Sequence, residues 1–194
     1  MKKNALRQQE TWLVELTMIG YPDMLTRPKY ANVLGYYLNA YQEKKQVDVD
    51  DYVIMPSRLI LLVTKRDVPL EQWLQEYAQV TALHIRKRLD KDAVPVLKTY
   101  MGAAIKLFSS REEALENEAC WHDVSYRIIA TEADFDGALQ YIYSAPVKAG
   151  LVSDIAYYAG SSVNNRAGII LTEINGDGEE EDGWLDMEDG EDDD

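Results

Sequence analysis

The chain has 194 residues and is 46% hydrophobic, which fits one ordinary domain with an appendage. No run of about 18 apolar residues occurs, so no membrane-spanning helix is expected, and the opening MKKNALRQQETW lacks the apolar stretch of a secretory signal. The formal net charge of −14 is unevenly spread: residues 177–194, DGEEEDGWLDMEDGEDDD, hold 12 of the 34 acidic residues and no basic one, leaving 22 acidic against 20 basic in 1–176, a net of −2.

These figures divide the chain into a body, 1–176, and a tail, 177–194, that is expected to be disordered because its charges repel and it has little to bury. One reading of the tail is a solvated, solubilising end. The other is a string of carboxylates that competes for a basic groove as a phosphate backbone would, with Trp184 and Leu185 as anchors. A near-neutral body lowers the expectation of nucleic-acid binding without removing it. Cys120 is the single cysteine, so no intramolecular disulfide forms. That fits a cytoplasmic setting, and Cys120 reads as a small packing residue, not a zinc ligand.

TWLVELTM (11–18) alternates Trp12, Val14, Leu16 and Met18 on one side, the pattern of a half-buried strand. A helix follows from Pro28, a residue suited to the first helical position. Its Tyr30, Val33, Leu34, Tyr37, Leu38 and Tyr41 form one apolar stripe, so the tyrosines read as core and not as a platform for bases.

VIMPSRLILLV (53–63) is too apolar for a loop, yet Pro56, Ser57 and Arg58 interrupt it. Two strands, 47–55 and 58–63, joined at Pro56-Ser57 resolve the conflict, because at a turn the missing proline donor does no harm. The next helix spans 69–90 with Leu70, Trp73, Leu74, Tyr77, Thr81 and Ile85 inward. Its end carries Arg86, Lys87 and Arg88, followed by Lys91, either complementing the helix dipole or contacting phosphates.

Residues 96–108 and 112–119 read as helical, weakened by Gly102 and Ser109-Ser110. WHDVSYRIIA (121–130) reads as a strand, and Thr131 with Asp134 as a capping box for a helix that stops before Pro146. Residues 151–162 read as a loop and 166–174 as a short apolar closing segment. The order β-α-β-β-α-β-α indicates an α+β fold, an antiparallel sheet with helices packed on one face. No Gly-rich phosphate loop, HExxH motif or internal repeat occurs.

Two segments in combination carry a resemblance. DDYVIMPSRLILLV, followed some 80 residues later by LQYIYSAPVKAGLV, is similar to the REP-associated tyrosine transposases, a branch of the single-tyrosine HUH family. The resemblance runs from about Trp12 to Ile174. It implies a ferredoxin-like domain that binds single-stranded or hairpin DNA, and a tyrosine that attacks a phosphodiester with help from a divalent ion such as Mg or Mn. Tyr141 matches the nucleophile.

The metal ligands do not match. Where the family has His-hydrophobe-His this chain has Arg58-Leu59-Ile60, and where a third ligand follows the tyrosine by four residues it has Ala145. Arginine offers only donors, and isoleucine and alanine have no polar side-chain atom, so no metal or other cofactor is expected. A substitute site from Asp50, Asp51 or His122 is the remaining alternative. Arg58 either grips phosphate in the ion's place or pairs with an acid such as Asp51 or Asp123.

The resulting expectation is a degenerate transposase-like protein that binds single-stranded or hairpin DNA through Arg58, Arg86, Lys87, Arg88 and Lys91, without metal-dependent nicking. The rivals are a residual nicking enzyme using Tyr141 and a protein-interaction module. No membrane partner is expected, and the sequence leaves monomer and dimer equally open.

Overall fold

In β1 (Thr11–Met18), Val14, Leu16 and Met18 are fully buried on one side while Leu13 is buried on the other, so this strand has cover on both faces. The computed structural model describes residues 10–20, 22–91, 98–101, 103 and 120–172. After β1 come α1 (Pro28–Glu43), β2 (Val47–Ile54), β3 (Arg58–Lys65), α2 (Leu70–Asp90), β4 (Trp121–Ile129), α3 (Glu132–Lys148) and a 3-10 turn at Ile155–Tyr157. The strands form one antiparallel sheet in the order β2-β3-β1-β4, the ferredoxin-like arrangement that the resemblance implied.

The expectation of helices on a single face holds for α1 and α2 only. Their Leu34, Leu38, Trp73 and Tyr77 pack with Val14, Leu16, Leu61 and Val63. Helix α3 lies on the opposite face, where Ala138, Ile142 and Ala145 pack with Leu13, Ile60 and Leu62. The physical reason is visible in β3: Leu59 to Val63 are all buried, as in a strand enclosed on both sides.

Local chemistry sets the element ends. The β2–β3 connection is Pro56-Ser57, closed by the Met55 amide donating to the Arg58 carbonyl at 2.8 Å. Pro56's carbonyl accepts from the Met24 and Leu25 amides at 3.0 and 2.9 Å, and Ser57's from Met18 at 2.8 Å, which fixes the turn against the rest of the domain. The Thr131–Asp134 capping box is complete in both directions at 3.1 Å. Contrary to expectation α3 runs through Pro146 to Lys148. A proline this near the C-terminus forfeits one amide donor, and the Pro146 carbonyl still accepts from Leu151 at 3.0 Å.

The segment after α3, expected as loop and closing stretch, covers the outer edge of β2. Ser161 bridges Val53, the Ile54 amide donates to Gly160 at 2.7 Å, and the Thr172 amide to Val49 at 2.8 Å. Asn39 and Gln42 of α1 donate to the Gly168 and Ile170 carbonyls, both at 2.8 Å, and Ile169 is buried beneath. An edge strand thereby loses its open row of backbone groups. Cys120 is buried, as its packing role requires. Among the described residues no helix is long and apolar enough to cross a membrane. The expectations for most of 96–119 and for the tail fall outside the described residues.

Gly160 is fixed by close approach: a Cβ there would sit 2.5 Å from the Ile54 carbonyl oxygen. Gly160→Ala should therefore lower stability by about 1–3 kcal/mol, measured by urea denaturation as a lower midpoint with an unchanged slope.

Candidate functional site

Where α3 crosses the sheet, side chains alternating off three strands meet one helical turn. From β1 come Leu13, Glu15 and Thr17, from β3 Arg58, Ile60 and Leu62, from β4 Asp123, Ser125 and Arg127. Glu15 faces Ile60 across one strand pair and Ser125 across the other, so it sits at the centre of this surface.

Glu15 is bound at both oxygens. Arg58 Nη1 donates to Oε1 at 3.1 Å and the Tyr141 hydroxyl donates to Oε2 at 2.7 Å. The Arg58 and Glu15 side chains keep 34% and 22% of their accessible surface, so the ion pair is worth about 0.2–1 kcal/mol after solvent screening. Burial raises the Tyr141 pKa, and donating its proton to the Glu15 carboxylate raises it further; the Arg58 guanidinium pulls the other way without reversing the shift. The phenol is held neutral.

Two cavities open beside this network, and Glu15 lines both. The first, about 630 Å³, runs between β4 and α3 past Ser125, Arg127, Gln140, Tyr141, Ser144 and Lys148. The second, about 770 Å³, lies at the β2–β3 turn and is walled by Met55, Pro56, Ser57, Arg58, His122 and Leu151 among others.

A divalent cation does not fit the positions that the resemblance assigned to its ligands. Arg58 is cationic and engaged by Glu15, while Ile60 and Ala145 are buried in the apolar cluster under α3. Among the described residues no group of three or more His, Cys, Asp or Glu is placed to hold an ion. The substitute site from Asp50, Asp51 and His122 fails on topology: β2 and β4 are opposite edges of the sheet, about 14 Å apart at a strand spacing near 4.8 Å. Asp50 accepts from Thr64 at 2.6 Å. Asp51, buried at a β2 bulge, accepts from Tyr143 and Ser162, each at 2.5 Å, and ties α3 and the following segment to the sheet. Burial first, then Asp51, raises the Tyr143 pKa.

The structure brings Tyr141 and Arg58 together through Glu15, in place of the Asp51 or Asp123 partner expected for Arg58. It does not bring the α2 cations to them. Arg86, Lys87, Arg88 and Lys91 lie at the C-terminal end of α2, on the other face of the sheet. Thr81 accepts from the Trp121 indole at 3.1 Å, so the helix end projects past the sheet end where β3 and β4 begin. Sequence reasoning missed Glu15. The available signal was that it is the one charged residue of TWLVELTM, set on the side of β1 that was read as solvent-facing.

Removing the carboxylate should lower the Tyr141 pKa and removing the guanidinium should raise it. Ultraviolet titration of the phenol in Glu15→Gln and Arg58→Gln, with Tyr141→Phe as the blank, checks both signs against the wild type.

No protein-family model matches the chain, and no curated protein does. Among solved structures it is similar to a candidate transposase of Deinococcus radiodurans R1, at TM-score 0.40 and 14% identity over 73% of this chain and 95% of that one, a likeness too distant to carry an argument. It is also similar to a REP-associated tyrosine transposase bound to a REP hairpin, at TM-score 0.56 and 15% identity over 91% of this chain and 93% of that one. The chain has the fold of a REP-associated tyrosine transposase.

Proposed function

We propose that this protein binds single-stranded or hairpin DNA on the α3 face of its sheet, in the cytoplasm, and does not nick it by a metal-dependent route. The observation that carries the second half is the Arg58–Glu15–Tyr141 network, with apolar Ile60 and Ala145 beside it, standing where the family's resemblance puts a cation. A phenol with a raised pKa, donating to a carboxylate and lacking a Lewis acid, is a poor nucleophile at neutral pH.

Support for DNA comes from the shared fold with a transposase bound to a REP hairpin and from the groove between β4 and α3, where Arg127 and Lys148 supply cations and Ser125, Gln140 and Ser144 hydrogen-bonding groups. Arg58 reaches the same surface through the second cavity. Arg86, Lys87, Arg88 and Lys91 form a separate basic set, and a strand using both sets has to pass around the end of the sheet. The acidic tail competes with that strand for the cations.

One observation favours a second reading, nicking without a metal: the Tyr141 hydroxyl donates to a carboxylate, the geometry of a general base. The carboxylate is a weak base for so reluctant a phenol, which is why binding is preferred.

Deleting residues 177–194 should tighten binding to a hairpin oligonucleotide. The logarithm of the binding constant should fall with log salt at a slope of about −2, equivalent to about two neutralised phosphates on the hairpin duplex or about three on a single strand; no binding by the truncated protein at low salt would refute the proposal. A denaturing gel should show no covalent protein–oligonucleotide adduct with magnesium, manganese or neither. An adduct that Tyr141→Phe abolishes would establish the nicking reading instead.

A further inference from the structure

We infer that the Glu15 carboxylate is the resident occupant of an oxyanion site whose incoming ligand is a phosphodiester of single-stranded DNA. The inference rests on the DNA-binding reading above and adds how that site is kept shut. Arg58 and Tyr141 converge on the two oxygens of one anion, at 3.1 and 2.7 Å. A guanidinium and a hydroxyl so placed are donors for a phosphate group, and the protein supplies the anion itself.

Glu15 is also the wall shared by the two cavities. The one between β4 and α3 reaches it past Tyr141, and the one at the β2–β3 turn reaches it past Arg58. Both volumes, about 630 and 770 Å³, fall within the range of small-ligand pockets. Turning the carboxylate away joins them into one path, with a phosphate over Arg58 and Tyr141 and a base on either side. Met55, Pro56 and Leu151 offer an apolar wall on one side, and Ser125, Gln140 and Ser144 hydrogen-bonding groups on the other.

The neighbouring carboxylate shows what an unexchangeable partner looks like. Asp51 also accepts from side chains at both oxygens, here the Tyr143 and Ser162 hydroxyls, but it is only 5% exposed and lines neither cavity. Glu15 and Arg58 are partly exposed and line open cavities, through which a phosphate can reach and replace the carboxylate. Glu15 is thus a positioning residue that sets the threshold for strand entry.

The test is fluorescence anisotropy of the full chain with a labelled dT12 single strand and with a hairpin bearing a single-stranded extension, at low salt. Glu15→Gln should bind the single strand at least about fivefold more tightly than the wild type, and adding Arg58→Gln should abolish the gain. Glu43→Gln, which removes an equal charge from the exposed end of α1 and lines neither cavity, should change binding less than about twofold. If the wild type binds and Glu15→Gln binds no better, or Glu43→Gln gains as much, the inference falls and the DNA-binding reading stands. If no form binds, tail-deleted protein included, both fall. Should Glu15→Gln not fold, the wild type answers alone: ¹⁹F resonance of 3-fluorotyrosine at position 141 should shift as dT12 saturates, and an unmoved signal at saturation overturns the inference.

Discussion

One carboxylate organises the face of the sheet on which chemistry would occur. Glu15 sits mid-strand, opposite an apolar residue, beneath a helix, and a bare carboxylate there would be costly. It is tolerated because both oxygens have partners, a guanidinium from β3 and a phenol from α3. Each partner in turn depends on it: without Glu15, Arg58 would lose its ion pair and Tyr141 its acceptor. The three side chains form a closed set in which the Arg58 and Glu15 charges cancel and the Tyr141 phenol is neutral.

A site built this way differs from a metal centre in kind. A cation lowers the energy of charge developing on phosphate oxygens and favours loss of the attacking proton. A neutralised arginine beside a carboxylate does neither well, and the carboxylate takes up the donors that a phosphodiester would use. The fold nonetheless keeps the tyrosine's helix in place, because its packing comes from Ala138, Ile142 and Ala145 against the sheet and from the Tyr143–Asp51 bond, not from the reactive position. Fold and chemistry are separable here: the scaffold rests on apolar burial, which does not depend on the polar side chains at its centre.

Much of the scaffold was legible in the sequence because strong periodicity and turn chemistry act locally. The stripe of α1, the proline turn at 56–57, the Thr131 capping box and the alternation of β1 each depend on residues a few positions apart. What was not legible depends on placement across the sheet. Glu15 lies on the side of β1 that alternation alone assigns to water, and only α3 on that side turns it into a site residue. The same event misled the expectation of a single helical layer, and the run Leu59–Val63, buried throughout, was the clue available. The partner of Arg58 was sought in Asp51 of the hairpin or Asp123 of the 121–130 strand, whereas the actual one comes from the neighbouring strand β1. Pro146 misled for a different reason: a rule for helix interiors weakens in the last turn, where one lost amide bond matters little.

The central proposal is that a guanidinium–carboxylate pair, not a divalent ion, occupies the centre of the sheet face beneath α3. Electron paramagnetic resonance of manganese titrated with the full chain and with Glu15→Gln tests it most directly. The account predicts equal loss of the free-ion signal in both, since any ion held by acidic groups elsewhere is indifferent to Glu15. A tight one-to-one site present in the wild type and abolished by Glu15→Gln would contradict it.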